Sequence, residues 1–187
     1  RQRQMCIRDR KLVVGLGNPG DEYAKTRHNV GWLFLEYLEE KYGFKINDKI
    51  KATDSMVGQI YINNEKVVFA KPLTYMNLSG NAVQKLKKWY NLEDKDIIII
   101  FDDIDIPFGE CRYKLNGSGG THNGMKNIVQ MLSTKNIARI KIGIGGIKHP
   151  NQDLVDFVLQ KFTTSQLQEL DKVFEEAYEK LQKFLDN

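Results

Sequence analysis

Five consecutive residues, Ile97-Ile98-Ile99-Ile100-Phe101, restrict this chain more than any other stretch. Side chains alternate between the two faces of a strand, so a run with no polar member must be buried on both sides. Such a strand lies centrally in a sheet covered by helices, which is the α/β arrangement. KLVVGL (11–16) is a second short apolar run, β-branched and ended by glycine, and reads as another buried strand. The chain has 187 residues, 41% hydrophobic and 28% charged, and so fits one domain with a sizeable core.

The remaining elements follow from periodicity. Val30, Trp32, Leu33, Leu35, Tyr37 and Leu38 give a helix starting at Asn29, with Gly43 as its stop. MVGQIYI (56–62) and KVVFA (66–70) flank Asn63-Asn64-Glu65, a hairpin signal because asparagine tolerates positive φ. Residues 78–90 are helical by the spacing of Val83, Leu86, Trp89 and Tyr90, with lysines on the other face. Strands are expected at 112–115 and 138–145, with a helix over 123–132 between them. The chain ends in an amphipathic helix. Ser165 and Gln168 fit its capping box, and Leu167, Leu170, Phe174, Ala177, Tyr178, Leu181 and Leu185 form its buried stripe. The expected fold is one α/β domain over 11–187, with a mixed, mostly parallel twisted sheet flanked by helices.

The formal charge of +4 is concentrated at the start of the chain. Residues 1–10 carry four arginines and one aspartate, 4 − 1 = +3, leaving 4 − 3 = +1 for the rest. This segment has no period and reads as a non-native or disordered leader. The alternative is a native basic arm that adds RNA affinity. Global charge is therefore a weak argument for nucleic acid, and any basic surface must be local. Cys6 and Cys111 offer neither a disulfide framework nor metal-ligand spacing. No apolar run approaches the roughly 20 residues of a membrane span, and no secretory signal is visible. A cytoplasmic protein is expected.

GLGNPG (15–20) fits the dinucleotide spacing G-x-G-x-x-G, but its context does not. That fingerprint needs a helix and then a parallel strand ending in an acidic residue. Here the helix is followed by a hairpin. Pro19 lies where the fingerprint's helix should be running, offers no N–H to a pyrophosphate, and restricts Asn18 to extended backbone. The alternative for Asn18-Pro19-Gly20 is a tight turn after a strand.

Of the three histidines, His28, His122 and His149, the first sits at the start of a predicted helix. The helix dipole there favours the neutral, basic imidazole, and a nearby carboxylate would offset that and fix which ring nitrogen is free. Asp102, Asp103 and Asp105 follow the carboxyl end of the isoleucine strand, where α/β sheets place their sites. Asp103 and Asp105 read as a solvated turn. A Mg²⁺ site lacks a partner carboxylate in another motif. Asn77, within KPLTYMNLSG, has helix capping as its ordinary reading, and His122-Asn123 within NGSGGTHNG precede another helix. Neutral amides both donate and accept, which suits a peptide or ester better than a bare phosphate.

Taken together, GLGNPGDEYAKTRHNVG, KPLTYMNLSG, FDDIDIPFG, NGSGGTHNGMKNI and ARIKIGIG resemble bacterial-type peptidyl-tRNA hydrolase over essentially all of 11–187. The resemblance implies hydrolysis of the ester joining a peptide to the terminal ribose of tRNA, without cofactor or metal. It implies peptidyl-tRNA as partner and a monomer with no obligatory protein partner. His28, Asp102 and Asn18 match the family's catalytic positions. Tyr23, Met76, Asn77 and Asn123 match residues of the same cleft, and Lys114 and Lys141 match positions associated with the tRNA 5′ phosphate. Two departures stand out. Lys141 occupies a position that is often arginine, and so lacks the bidentate fork. Its alternative is an outward residue of an alternating strand. Thr121 stands where many members have glycine. The runner-up functions are a non-catalytic RNA-binding member of the same fold and, third, a metal-dependent hydrolase, which a chelator would inactivate.

Overall fold

The isoleucine run lies at the centre of a mixed sheet. The computed structural model describes residues 10–146 and 153–187. The strands are β1 (Arg10–Gly15), β2 (Asp48–Ile50), β3 (Ser55–Ile62), β4 (Glu65–Pro72), β5 (Ile97–Asp103), β6 (Cys111–Lys114) and β7 (Ala138–Gly143). They form one sheet in the order β2-β3-β4-β1-β5-β7-β6. The central strands β4, β1, β5 and β7 are parallel, while β3 and β6 run against them and β2 against β3. The helices are α1 (Val30–Tyr42), α2 (Ser79–Trp89), α3 (Asn123–Leu132), α4 (Leu154–Leu159) and α5 (Thr164–Leu185).

Both faces of β5 are covered, and alternation sorts its side chains. Ile98 and Ile100 join a core with Phe34 and Leu35 of α1 and Phe174 and Leu181 of α5. Ile97, Ile99 and Phe101 join a second core with Val83 and Leu86 of α2 and Met125 and Ile128 of α3. Each fully buried isoleucine contributes on the order of 1.5–3 kcal/mol from desolvation. No described helix is long and apolar enough to cross a membrane.

Local signals behave as their chemistry requires. Gly43 ends α1 in the left-handed region at φ 69°, ψ 46°. Asn63 and Asn64 turn the β3–β4 hairpin at φ 53° and 63°, so the loop is two residues and Glu65 already pairs with Ile62. The capping box of α5 differs from the expectation. It is built by Thr163 and Gln166, not by Ser165 and Gln168. Both registers satisfy the pattern, but the observed one sets buried Phe162 just before the cap and Leu167 in the first turn, both in one core cluster. Arg10, placed with the leader from sequence, is the first residue of β1 and pairs across from Lys66. Residues 1–9, with Cys6, and also His149, lie outside the described residues.

Close approach of α1 to the sheet sets the geometry that follows. A Cβ on Gly31, in the first turn of α1, would stand 2.5 Å from the Ile100 carbonyl oxygen and 2.8 Å from backbone atoms of Leu16. On the strand side, a Cβ on Gly15 would stand 2.6 Å from the Gly31 carbonyl. The helix start therefore lies directly on β1 and β5, beside the carboxyl end of the isoleucine strand.

Candidate active site

His28 lies in a 3-10 turn (Arg27–Asn29) that leads into α1, so packing of that helix carries the imidazole to the end of β5. Its Nδ1 lies 2.8 Å from Oδ2 of Asp102. Asp102 is 3% exposed. Burial alone would raise its carboxyl pKa, but charge and hydrogen bonds from two imidazoles outweigh that and hold it well below the usual carboxylate range. An ionised carboxylate only accepts, so His28 donates from Nδ1 and keeps its lone pair on Nε2. Burial lowers the His28 pKa, and Asp102 more than reverses this, so the net shift is upward from 6.5. The influence that Asp102 overcomes is burial, where the sequence pointed to the helix start.

The second imidazole is His122, which the sequence left outside the site. Its Nε2 lies 2.8 Å from the other carboxylate oxygen, Oδ1 of Asp102. Its Nδ1 accepts the Met125 backbone N–H at 3.1 Å, capping α3. Because Nδ1 accepts, Nε2 carries the proton and donates to Asp102. The two rings lie 4.9 Å apart, centre to centre. A histidine just before a predicted helix was the available signal, and it was masked by the ordinariness of that position.

Asn18 is fixed on three sides. Its backbone N–H donates to Asn29 Oδ1 at 2.9 Å, and Asn29 Nδ2 returns a bond to the Asn18 carbonyl at 2.9 Å. Its own Oδ1 accepts the Met76 backbone N–H at 2.7 Å. A backbone donor must face an oxygen, so the amide orientation is determined and Nδ2 is the group left to donate into the cleft. Asn29, 0% exposed, is the lock. The triplet Arg27-His28-Asn29 thus divides its work. Arg27 ties the turn to α4 by hydrogen bonds to the Phe157 carbonyl and Gln160 Oε1, both at 2.9 Å, with its guanidinium 4.2 Å from the Phe157 ring centre.

Asn18, His28, Asp102 and His122 line a cleft of about 570 Å³. Met76, Asn77, Asn123, Lys114 and Lys141 line it too. Asn77 does not cap α2; the residue at that cap is Leu78, with no side-chain bond. Tyr23 is not a lining residue. It meets Tyr75 edge-on at 6.5 Å, and Tyr75, absent from the sequence expectations, forms the wall. Tyr75 is half exposed and held at φ 64°, a conformation that costs an aromatic residue on the order of 1–3 kcal/mol. Leu154, Val155, Val158 and Leu159 of α4 supply an apolar side of the cleft. Lys141 is not an outward residue: it shares a face with Phe101 and lies 3.7 Å from Asp103 Oδ2. Asp103, expected in a solvated turn, is partly buried and also accepts the Asp105 N–H at 2.8 Å.

Among the described residues, one group of His, Cys, Asp or Glu side chains is close enough to share a metal ion, namely His28, Asp102 and His122. Those atoms are already joined to one another as donors and acceptor, so an ion would have to displace the protons that orient both rings.

The peptidyl-tRNA hydrolase family model matches residues 12–187. The chain belongs to the peptidyl-tRNA hydrolase family. It is 42% identical over 176 residues to the peptidyl-tRNA hydrolase of an Exiguobacterium species, covering 94% of each chain. It is 45% identical over 162 residues to that of Mesoplasma florum, covering 86% of this chain and 84% of the relative. Its fold matches the crystal structure of peptidyl-tRNA hydrolase from Acinetobacter baumannii with a TM-score of 0.87 at 34% identity, covering 95% of this chain and 89% of that one. In this chain a helix start is pressed on the sheet, and His28 and Asp102 meet where the two converge.

Proposed function

We propose that this chain hydrolyses the ester between the peptide and the terminal ribose of peptidyl-tRNA, releasing free tRNA and peptide. The observation that carries the reading is the His28–Asp102 pair: Nδ1 is committed to a buried carboxylate, and the lone pair is left on Nε2 in a cleft lined by amides. His28 Nε2 takes a proton from water as the water oxygen attacks the ester carbonyl carbon. The carbonyl π pair moves onto oxygen, and the developing oxyanion receives hydrogen bonds from Asn18 Nδ2 and Asn123. Collapse of this adduct breaks the bond to the ribose oxygen, which takes the proton from the His28 imidazolium. Asp102 orients the ring and stabilises that imidazolium. General-base help of this kind contributes roughly 10²–10⁴-fold.

Asn77 faces the peptide backbone, with Met76 and Tyr75 shaping the same wall and Tyr23 backing Tyr75. Lys114 and Lys141 supply a local basic surface for a nucleic-acid phosphate, and the nearby Asp103 carboxylate makes Lys141 the weaker of the two. The protein is proposed to work as a cytoplasmic monomer, one domain over 10–187 with Arg10 included in β1, without cofactor or metal.

The deciding experiment is hydrolysis of an N-blocked aminoacyl-tRNA by the wild type and by His28→Ala. The variant should bind tRNA with near-normal affinity and turn over about 10²–10⁴-fold more slowly. Equal turnover in the two proteins refutes the mechanism, and activity lost to a chelator refutes metal-free chemistry.

A further inference from the structure

One buried cation holds together the segments that carry the basic side of the cleft. Arg139, on β7, is 0% exposed. Its Nε donates to the Ile137 carbonyl at 3.1 Å, Nη1 to the Ser118 carbonyl at 2.8 Å and Nη2 to the Lys135 carbonyl at 3.1 Å. No described carboxylate forms an ion pair with it. A buried charge ordinarily demands an opposite partner, and here carbonyl dipoles alone satisfy it. Burial lowers its pKa from 12.5, yet a guanidinium stays protonated at neutral pH.

The three carbonyls belong to two segments, Ser118 to one and Lys135 and Ile137 to the other. Ser118 lies in the loop 116–121, which forms part of the cleft wall, and Lys135 lies in the turn after α3. Gly117 N–H also donates to the Lys135 carbonyl at 3.0 Å, so loop and turn are joined twice. On its other side the loop presses on α3, where a Cβ on Gly119 would collide with the Lys126 backbone nitrogen. The loop is clamped between guanidinium and helix. In the β6–β7 register Lys114 stands across from Arg139, and Arg112 across from Lys141. Cross-strand partners share a face, so four cations lie on one side of this ladder.

We infer that Arg139 is a positioning residue for substrate binding: it fastens the loop 116–121 as a cleft wall and holds positive charge behind Lys114 and Lys141. Only the kinetic part of this inference rests on the hydrolase reading. Methionine at this position removes both charge and fork. Lysine keeps the charge on a compact head that cannot span three carbonyls in one plane.

The test compares wild type, Arg139→Met and Arg139→Lys by amide hydrogen exchange and by steady-state hydrolysis of an N-blocked aminoacyl-tRNA. In Arg139→Met, exchange across 117–120 should accelerate about tenfold, the scale of losing one or two hydrogen bonds, while exchange in β5 stays unchanged. KM should rise about tenfold or more with kcat within about threefold, and Arg139→Lys should fall between the variant and wild type. Unchanged loop exchange in a folded variant overturns the fastening. A fall in kcat at unchanged KM overturns the role in binding. If Arg139→Met does not fold, Arg139→Lys decides: faster loop exchange with higher KM supports the inference, and wild-type values for both overturn it. A wild type that did not hydrolyse the ester would sink the proposed function, while the exchange measurement would still decide whether Arg139 holds the loop.

Discussion

Replacing Asp102 by asparagine should move the proton of His28 to the wrong nitrogen, and the neighbouring groups dictate the outcome. The carboxylate accepts from two imidazoles, each at 2.8 Å. An amide has one acceptor and one donor, so it can accept from only one of them. The Met125 N–H, at 3.1 Å, needs a lone pair on His122 Nδ1, which keeps the His122 proton on Nε2 facing an acceptor. The variant's amide oxygen must therefore turn to His122, and its NH₂ must face His28. His28 Nδ1 becomes the acceptor, its proton moves to Nε2, and no lone pair remains toward the cleft. The loss is the whole general-base contribution, about 10²–10⁴-fold in kcat, or roughly 3–5 kcal/mol of barrier. KM should change little, because ring orientation matters chiefly in the transition state.

The assay is hydrolysis of an N-blocked aminoacyl-tRNA on the plateau of the wild-type pH profile, with the His28 tautomer read from ring-nitrogen NMR shifts. A double variant sharpens the test. With His122→Ala added, nothing constrains the amide, which can turn its oxygen back to His28. Recovering one neutral hydrogen bond in the correct tautomer should make the double variant about fivefold to tenfold faster than Asp102→Asn alone. Asp102→Asn activity within about threefold of wild type, or a double variant no faster than the single one, would refute the reasoning.

The acid limb of the kcat/KM profile should lie above pH 6.5, because burial lowers the His28 pKa and Asp102 more than reverses it; a limb at or below 6.5 counts against the pair. Stability should run the other way. A raised histidine pKa stabilises the fold fully below 6.5 and is lost as pH rises through the folded value, whereas the depressed Asp102 stabilises above 3.8 and is lost as pH falls. The melting-temperature gap between wild type and His28→Gln should therefore peak between those values and shrink toward alkaline pH; a gap that widens there contradicts the assignment. Asn18→Asp keeps an oxygen for the Met76 N–H but replaces the donor facing the cleft by an anion. It should melt close to wild type and lose roughly 10²–10³-fold in kcat, and unchanged turnover would remove Asn18 from the oxyanion's partners. Gly31→Ala forces a Cβ to within 2.5 Å of the Ile100 carbonyl, so it should cost about 1–3 kcal/mol and several degrees of Tm; calorimetry showing no loss would mean that α1 does not need its close seat on the sheet.

The parts of the fold that could be read in the sequence are those that local chemistry decides. Alternation and composition place β1 and β5, the Asn63-Asn64 turn follows from tolerance of positive φ, and α3 emerges with its observed bounds. What stayed hidden is short or settled by distant contacts. The strand β2 has three residues, two of them charged, and exists because Asp48 to Ile50 pair with β3. The six-residue α4 has too little length for a period, and Arg27, some 130 residues earlier in the chain, holds it in place. Arg139 reads as one more alternating strand position, since nothing in ARIKIGIG announces that loop carbonyls will surround it. His122 stayed hidden for a related reason: its bond to Asp102 joins two segments that appear separate along the chain.

The glycine-rich segment shows how a motif can be right in spacing and misleading in meaning. Two of its glycines are needed, but for packing: a Cβ on Gly15 would meet the Gly31 carbonyl, and one on Gly17 would meet the Trp32 ring at 2.7 Å. A dinucleotide fingerprint also uses glycine to bring a helix close to a strand, so the shared spacing reports that shared need and not the ligand. What separates the two outcomes is the residue between the glycines and the helix. Here Asn18 precedes Pro19, which has no N–H to offer, and is gripped by Asn29, so its amide, not a row of backbone N–H groups, faces the cleft. The same close seat of α1 then brings His28 to Asp102. Removing either glycine should accordingly disturb the His28–Asp102 pair, although neither glycine touches it.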